Sequence, residues 1–398
     1  MTDPSFDVQE ALSNLAASHS AHEEFYTEVT VQITAKRYHQ LTVGILKFTS
    51  DPSSNLYNDN FLTLFRKVLV PIQSKLNQLA LSKIAWNVAS SLQSEELGIS
   101  LLSELISTLD APKHRFAKLY SESRLHLLKL TNINDIANSI SITQDSKRFL
   151  KEHEGTLQEL SSTSTESEVA TVHSAYYKTA MQLYKIIGPA EEFYKMAIQY
   201  LHYTPIVEIG TKDEVKALAR DLCLAALVGE NVYNLGTVVY ENSLLLEALD
   251  GTSDSYLVTL MQAAANGDVS AIQTLRDHKS ELEKLGCKEQ IIREKIMLLA
   301  LVNMVFQRGS DERTLLFNDV ASRLEIDSDQ VEWVVMKAFS LGLIKGSMDQ
   351  VDGIVHVTWV MPRVLDDSMM TTLAERFGEW AQKVEETRDY MGEHIPAF

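Results

Sequence analysis

Between residues 314 and 362 the spacing of apolar positions changes several times, and each change marks an element. Leu315, Leu316 and Phe317 form a short extended run. It leads into a helix whose Phe317, Val320, Ala321 and Leu324 recur at i, i+3, i+4 and i+7, placing one apolar stripe on a polar cylinder. Ser328 is the expected cap of a second helix, on which Val331, Val334, Val335, Ala338 and Leu341 keep the same spacing. Gly342 follows where a left-handed residue commonly closes a helix, since glycine has no Cβ to clash there. Two extended runs come next, 344–351 and 354–360. In the second, Ile354, His356, Thr358 and Val360 alternate with Val355, Val357 and Trp359. Asp352-Gly353 between the runs predicts a two-residue hairpin turn with positive φ at both central residues, and Pro362 ends the last strand. Strand, helix, helix and hairpin in this order predict a winged helix.

Upstream the period is helical nearly throughout. Phe61, Leu64, Phe65, Val68, Leu69 and Ile72 share one stripe, as do Leu97, Leu101, Leu105 and Leu109. Later segments pair up. Tyr177, Ala180, Met181 and Tyr184 precede a stop at Gly188-Pro189, and Ala190, Phe193, Tyr194, Ala197 and Leu201 follow it. Leu257, Leu260, Met261, Ala264 and Ala265 precede a turn at Asn266-Gly267, with Val269, Ile272 and Leu275 beyond. Helical hairpins of this kind cannot bury their apolar faces alone, so they are expected to stack on neighbours as a solenoid with an irregular repeat. SSTSTESE at 161–168 has no apolar residue and reads as a linker or exposed turn; DPSSN at 51–55 is a shorter turn. After the hairpin, 364–393 is helical again. Leu373, Phe377, Trp380, Val384 and Met391 lie along one seam, while Glu375, Arg376, Glu379, Lys383, Glu385, Glu386 and Arg388 occupy the rest. Such a seam needs cover, either from its own chain or from helices of other chains.

Charge decides what the winged helix is for. From 296 to 362 there are five basic residues (Arg308, Arg313, Arg323, Lys337, Lys345) against nine acidic ones (Asp311, Glu312, Asp319, Glu325, Asp327, Asp329, Glu332, Asp349, Asp352), a net of −4. Neutralising phosphates needs the opposite sign. The helix that would enter a groove offers Asp329, Gln330, Glu332, Trp333 and Lys337, with no arginine for a bidentate contact to guanine. Contact with protein is the better reading. The whole chain agrees, with a formal net charge of −18 over 398 residues, a length that leaves room for two or three domains. The longest apolar stretch, 296–306, is interrupted by Asn303 and falls short of the roughly 20 residues a membrane span needs, so it reads as a buried helix. MTDPSFDVQEALS shows no basic region followed by an apolar run, so no signal peptide is expected. Cys223 and Cys287 are the only cysteines; both fall in helical patterns and are expected to be free thiols of a reducing compartment.

Catalytic patterns are missing. GxxxxGK[ST], GxGxxG, GxSxG and HExxH do not occur, and the glycines of LGLIKGS lack the lysine and hydroxyl of a phosphate loop. His19 and His22, with Glu23, have no second ligand pair nearby and read as a solvated helix. Cys223 in LARDLCLAALVG is expected to be a buried structural thiol, His356 to be packed or exposed on a strand, and His173, Tyr176 and Tyr177 to pack between helices.

The winged-helix block VEWVVMKAFSLGLIKGSMDQVDGIVHVTWVMPRVL at 331–365 resembles the PCI family, whose members serve in the proteasome lid, the COP9 signalosome and a translation initiation factor complex. YHQLTVGILKF at 38–48, VHSAYYKTAMQLYK at 172–185 and LVGENVYNLG at 227–236 are similar to the proteasome-lid branch, so the resemblance covers most of the chain apart from the first twenty or so residues and SSTSTESE. It implies a mainly α protein: a right-handed, TPR-like solenoid of helical hairpins over 1–285 with a break expected near 161–168, a winged-helix PCI module over 286–362, and a C-terminal helix over 363–398 for bundle assembly. The implied role is a non-catalytic structural subunit of the regulatory-particle lid, without cofactor or metal, supporting ubiquitin-dependent degradation in cytoplasm and nucleus. A scaffold of the signalosome or of the initiation factor complex is the alternative. Partners implied are other lid subunits, chiefly PCI neighbours met through winged helices and C-terminal helices, and neither nucleic acid nor membrane. Carried onto this sequence, the hairpin contact falls on Ile344, Lys345, Gly346, Val351, Val355, Val357 and Trp359, and the helical contact on Leu373, Phe377, Trp380 and Val384.

Overall fold

Amphipathic periodicity becomes helix through most of the computed structural model, which describes residues 4–18, 22–51, 58–92, 94–109, 113–132, 136–160, 166–284, 286–308, 313–364 and 367–394. Two compact units result, Met1–Pro205 and Ile206–Phe398. The first holds α1 (Pro4–Ser18), α2 (Glu23–Thr34), α3 (Tyr38–Ser50), α4 (Asn58–Leu64), α5 (Val70–Ile72), α6 (Gln78–Ser91), α7 (Glu95–Thr108), α8 (Arg115–Thr131), α9 (Ile136–Leu160), α10 (Glu166–Ile187) and α11 (Ala190–Tyr203). One core gathers α1 to α7 around Leu41, Ile45, Val68 and Ile84; a second gathers α8 to α10 around Leu130, Val172 and Leu183.

The stripe from Phe61 to Ile72 is buried as expected, but its helix is irregular. A π-turn, Phe65–Leu69, joins α4 to α5 just ahead of Pro71, which has no N–H to give the carbonyl four residues back. On α7, Leu97 faces solvent and Leu102 takes the inner place. Gly98 lets the helix approach closely, since a Cβ there would meet the Ala89 carbonyl oxygen at 3.1 Å. The deep face of α10 runs through Val172, Ala175, Thr179 and Leu183, while the expected Tyr177, Met181 and Tyr184 are half-buried beside it. Packing against both α8 and α11 widens the buried arc beyond one stripe. Hydrogen bonds lock that arc: Tyr176 donates its hydroxyl to the Leu150 carbonyl (2.7 Å) and Thr179 to that of Ser123 (2.8 Å). Gly188, at φ +74°, ends α10 as expected. Of the expected linker, 161–165 lies outside the described residues and Glu166 to Glu168 already belong to α10, whose packing on α8 leaves no break between compact units there. The DPSSN turn, beyond Asp51, and His19 also lie outside the described residues.

The second unit holds α12 (Lys212–Val228), α13 (Ser243–Glu247), α14 (Ser255–Ala265), α15 (Ser270–Asp277), α16 (Lys279–Lys284), α17 (Glu289–Gln307), β1 (Thr314–Leu316), α18 (Phe317–Leu324), α19 (Ser328–Ser340), β2 (Ile344–Asp349), β3 (Ile354–Val360) and α20 (Asp367–His394). Thr211 and Glu214 cap α12 reciprocally, each side chain taking the other's backbone N–H. The central element is α17, buried at Ile296 and along 298–303 as its composition predicts. It contacts α12, α14 and α15 and also α18, α19 and β3, so the compact unit has no break at residue 285. Lys295 on α17 is buried; its ammonium donates to the carbonyls of Ala226 and Gly229 (2.8 Å to the latter) where α12 ends. Gly267, at φ +64°, turns α14 into α15 so tightly that a Cβ would strike Asn303 and Ala300 of α17. Arg363, just past β3, donates to Asn303 Oδ1 (2.8 Å) and to the Ala265 carbonyl, fastening the same corner. Cys287 lies in the loop before α17 rather than in a helix, and both cysteines are buried and outside any disulfide.

Candidate protein-binding surfaces

The expected winged helix is present, with sheet order β1-β3-β2 and both pairings antiparallel. Val320, Leu324, Val331, Val334, Val335 and Ala338 form its helical core against the sheet. Asp327, one residue earlier than expected, is the N-cap position of α19. At the other end Gly342 takes φ +67°, its N–H bonding to the Phe339 carbonyl and that of Leu343 to the Ala338 carbonyl, a Schellman closure. The hairpin turn is longer than Asp352-Gly353. Asp349 pairs with Ile354, leaving four turn residues, of which only Gly353 has positive φ. The Asp349 carboxylate accepts the N–H groups of Val351 (2.9 Å) and Asp352 (3.2 Å), and that side-chain turn replaces the two-residue one.

A bulge also breaks the expected alternation. Lys345 faces Trp359 but Gly346 faces Val357, so Thr358 is one residue too many for β2. Val355 and Val357 point inward with Val360 near the core, while Trp359 turns outward instead of following them, with the Lys345 ammonium 4.8 Å from its ring centroid. Gly346 makes the bulge sterically feasible, because a Cβ would lie 1.9 Å from the His356 carbonyl oxygen.

This geometry divides the hairpin residues expected to meet a partner. Ile344 (0% exposed), Val355 (0%) and Val357 (5%) are core residues of the module itself, and their side chains are unavailable to another chain. Alternation put Val355 and Val357 on one face with Trp359, but that face covers α18 and α19. β3 is the central strand, so β2 alone offers the hairpin's free edge, with no strand on its outer side among the described residues. Lys345, Val351 at the turn and Trp359 remain exposed. On α19 Trp333 and Met336 face solvent, whereas Lys337 pairs with Glu294 and Glu332 accepts from Gln350 (2.9 Å). Two of that helix's three charged side chains, Glu332 and Lys337, are thus engaged within the chain.

The second surface lies on α20. Along the 28 residues of α20, Leu373, Phe377, Trp380 and Val384 are all exposed, Phe377 by 62% and Trp380 by 65%. Of the two covers open to this seam, the described residues of its own chain leave Phe377 and Trp380 mostly uncovered. Met370, missed in the sequence, extends it one step back at the three-residue spacing from Leu373.

Among the described residues no cluster of histidine, cysteine and carboxylates has metal-binding geometry. Burial pushes the Cys223 thiol up to about 12, away from the thiolate a nucleophile needs. His173 is buried against Tyr203 (ring centroids 4.6 Å apart), and His356 is exposed with Nδ1 2.9 Å from the Thr314 hydroxyl. No helix among the described residues is long and apolar enough to cross a membrane.

Helical repeats ending in a winged helix are the arrangement of a PCI-type protein, and the PCI domain family model matches residues 275–359. The model described as PSD13 N-terminal repeats matches 24–261. The chain is 30% identical to the 26S proteasome non-ATPase regulatory subunit 13 of Dictyostelium discoideum over 87% of each chain. It is also 30% identical to homolog B of that subunit from Arabidopsis thaliana, over 95% of this chain and 96% of the relative, and 29% identical to the 26S proteasome regulatory subunit RPN9 of Saccharomyces cerevisiae, over 91% and 89%. The chain belongs to the family of 26S proteasome non-ATPase regulatory subunit 13.

Proposed function

We propose that this chain is a non-catalytic scaffold of the proteasome regulatory-particle lid, acting in cytoplasm and nucleus to hold sister PCI subunits in place for ubiquitin-dependent degradation. Nearly full-length similarity to proteins named as regulatory subunits supports the complex. The observation that carries the mode of action is the uncovered seam of α20, because a soluble chain does not keep Phe377 and Trp380 in water without a partner for them. The free edge of β2, with Lys345, Gly346, Trp359 and the exposed Val351, is the second contact, where a neighbouring strand would satisfy open backbone groups. A permanent interface of this kind buries on the order of 2,000 Å² or more in total.

Native purification of the tagged chain with a mass-spectrometric inventory tests the reading. Proteasome regulatory subunits in stoichiometric amount are expected. Signalosome or initiation-factor subunits in their place would overturn the assignment, and a lone species would overturn the scaffold role. Trp380→Ala should weaken assembly by about 2 kcal/mol as an interface anchor.

A further inference from the structure

The charged residues of α20 are sorted by position. Met370, Leu373, Phe377, Trp380, Val384 and Met391 follow the alternating three and four spacing of a heptad, with Thr387 filling the one missing core step. The positions flanking that core face a paired helix. They hold Ala374, Ala381 and Arg388 on one side, Arg376, Lys383 and Tyr390 on the other. From Met370 to Met391 all three basic residues sit on the flanks, and all five acidic ones, Glu375, Glu379, Glu385, Glu386 and Asp389, sit on the far face. In a chain with 54 acidic and 36 basic residues, chance would have put carboxylates on the flanks too. Present contacts do not account for the sorting: Arg388 pairs with Glu385 (3.0 Å) and Asp389 (2.9 Å) in full view of solvent, and among the described residues Arg376 reaches the Gln307 carbonyl at 3.4 Å and no carboxylate.

Resting on the reading of α20 as an assembly element, we propose that its occupant is an amphipathic helix of a partner protein with acidic flanks, chosen by Arg376, Lys383 and Arg388 while the apolar seam supplies adhesion. Flanking charges set partner choice in paired helices. A second copy of this chain fits poorly, because parallel pairing sets Lys383 of one copy against Arg388 of the other and antiparallel pairing sets each basic flank against itself. An anionic membrane fits poorly as well. The seam is the narrow stripe of a helix pair, and the segment carries more acidic than basic charge.

The test uses the full chain and two synthetic peptides with the same leucine and isoleucine heptad core, one with glutamate and one with lysine at every flank, titrated by fluorescence anisotropy. The glutamate peptide should bind at least about tenfold more tightly in about 50 mM salt, and the gap should close to within about threefold in about 1 M salt. Arg376→Glu/Lys383→Glu/Arg388→Glu should invert the preference, while Glu375→Lys/Glu379→Lys/Glu386→Lys, the same number of reversals on the far face, should keep its order. Equal binding of both peptides overturns the charge selection and leaves the seam reading standing. Peptide binding that survives Phe377→Ala/Trp380→Ala overturns the seam reading with it. Self-association of the wild-type chain, or binding to phosphatidylserine vesicles in place of the peptides, also overturns the proposal.

Discussion

The winged-helix module and α20 adjoin in sequence and follow the same apolar rule, yet one consumes its apolar residues and the other displays them. Val320, Val331 and Val335 are 0% exposed within the module, whereas Phe377 and Trp380 on α20 are more than half exposed. Hydrophobic period therefore shows that a face will be covered but not by which chain. What separates the two regions is closure. The module closes its core between the sheet, α18, α19 and α17, while α20 leaves Phe377 and Trp380 more than half exposed among the described residues.

That contrast can be broken at graded points. The largest effect is expected inside the module: Gly346→Val drives a side chain into the His356 carbonyl and should destabilise the second unit by about 3 kcal/mol or more in urea unfolding. An unchanged midpoint would mean that the bulge is not needed. Next comes Lys295→Met, which keeps the stem but removes the ammonium that donates to the Ala226 and Gly229 carbonyls; about 2 kcal/mol should be lost, read in the same transition.

A pH effect of comparable or smaller size belongs to the first unit. Burial holds His126 down from its usual 6.5 to about 4, stacked on Phe149 with Nδ1 3.0 Å from the Ser146 hydroxyl. The unfolded chain takes up a proton near 6.5 that the folded chain refuses. Stability is therefore complete above that value and falls as pH drops toward about 4, by on the order of 2 kcal/mol after allowing for partial exposure. His126→Asn should flatten this slope, and an equally steep fall in the variant would assign the acid sensitivity elsewhere. The smallest effect should come from the seam: Phe377→Ala/Trp380→Ala ought to change the stability of the isolated chain by less than about 0.5 kcal/mol, since little packing is lost.

Local signals were legible in the sequence wherever one residue's physics decides. Gly342 and Gly188 end helices where the pattern placed them, and the winged-helix order follows from period changes alone. Features that depend on distant partners were not legible. The Thr358 bulge, which turns Trp359 outward, arises from the match between two strands, and Lys295 meets carbonyls 66 and 69 positions away. Asp349 set the turn through its side chain and so displaced the expected two-residue form. The apolar seam of α20 was visible except for Met370, but the sorting of its flanking charges has meaning only once Phe377 and Trp380 are seen to be exposed.

The most direct measurement pairs two readings on one variant: the unfolding midpoint of isolated Phe377→Ala/Trp380→Ala, and the fraction of the same tagged chain recovered in the high-mass assembly. An unchanged midpoint with incorporation reduced at least about tenfold is expected of an interface helix. A midpoint that falls in step with incorporation would show that α20 stabilises its own chain, and would contradict the account.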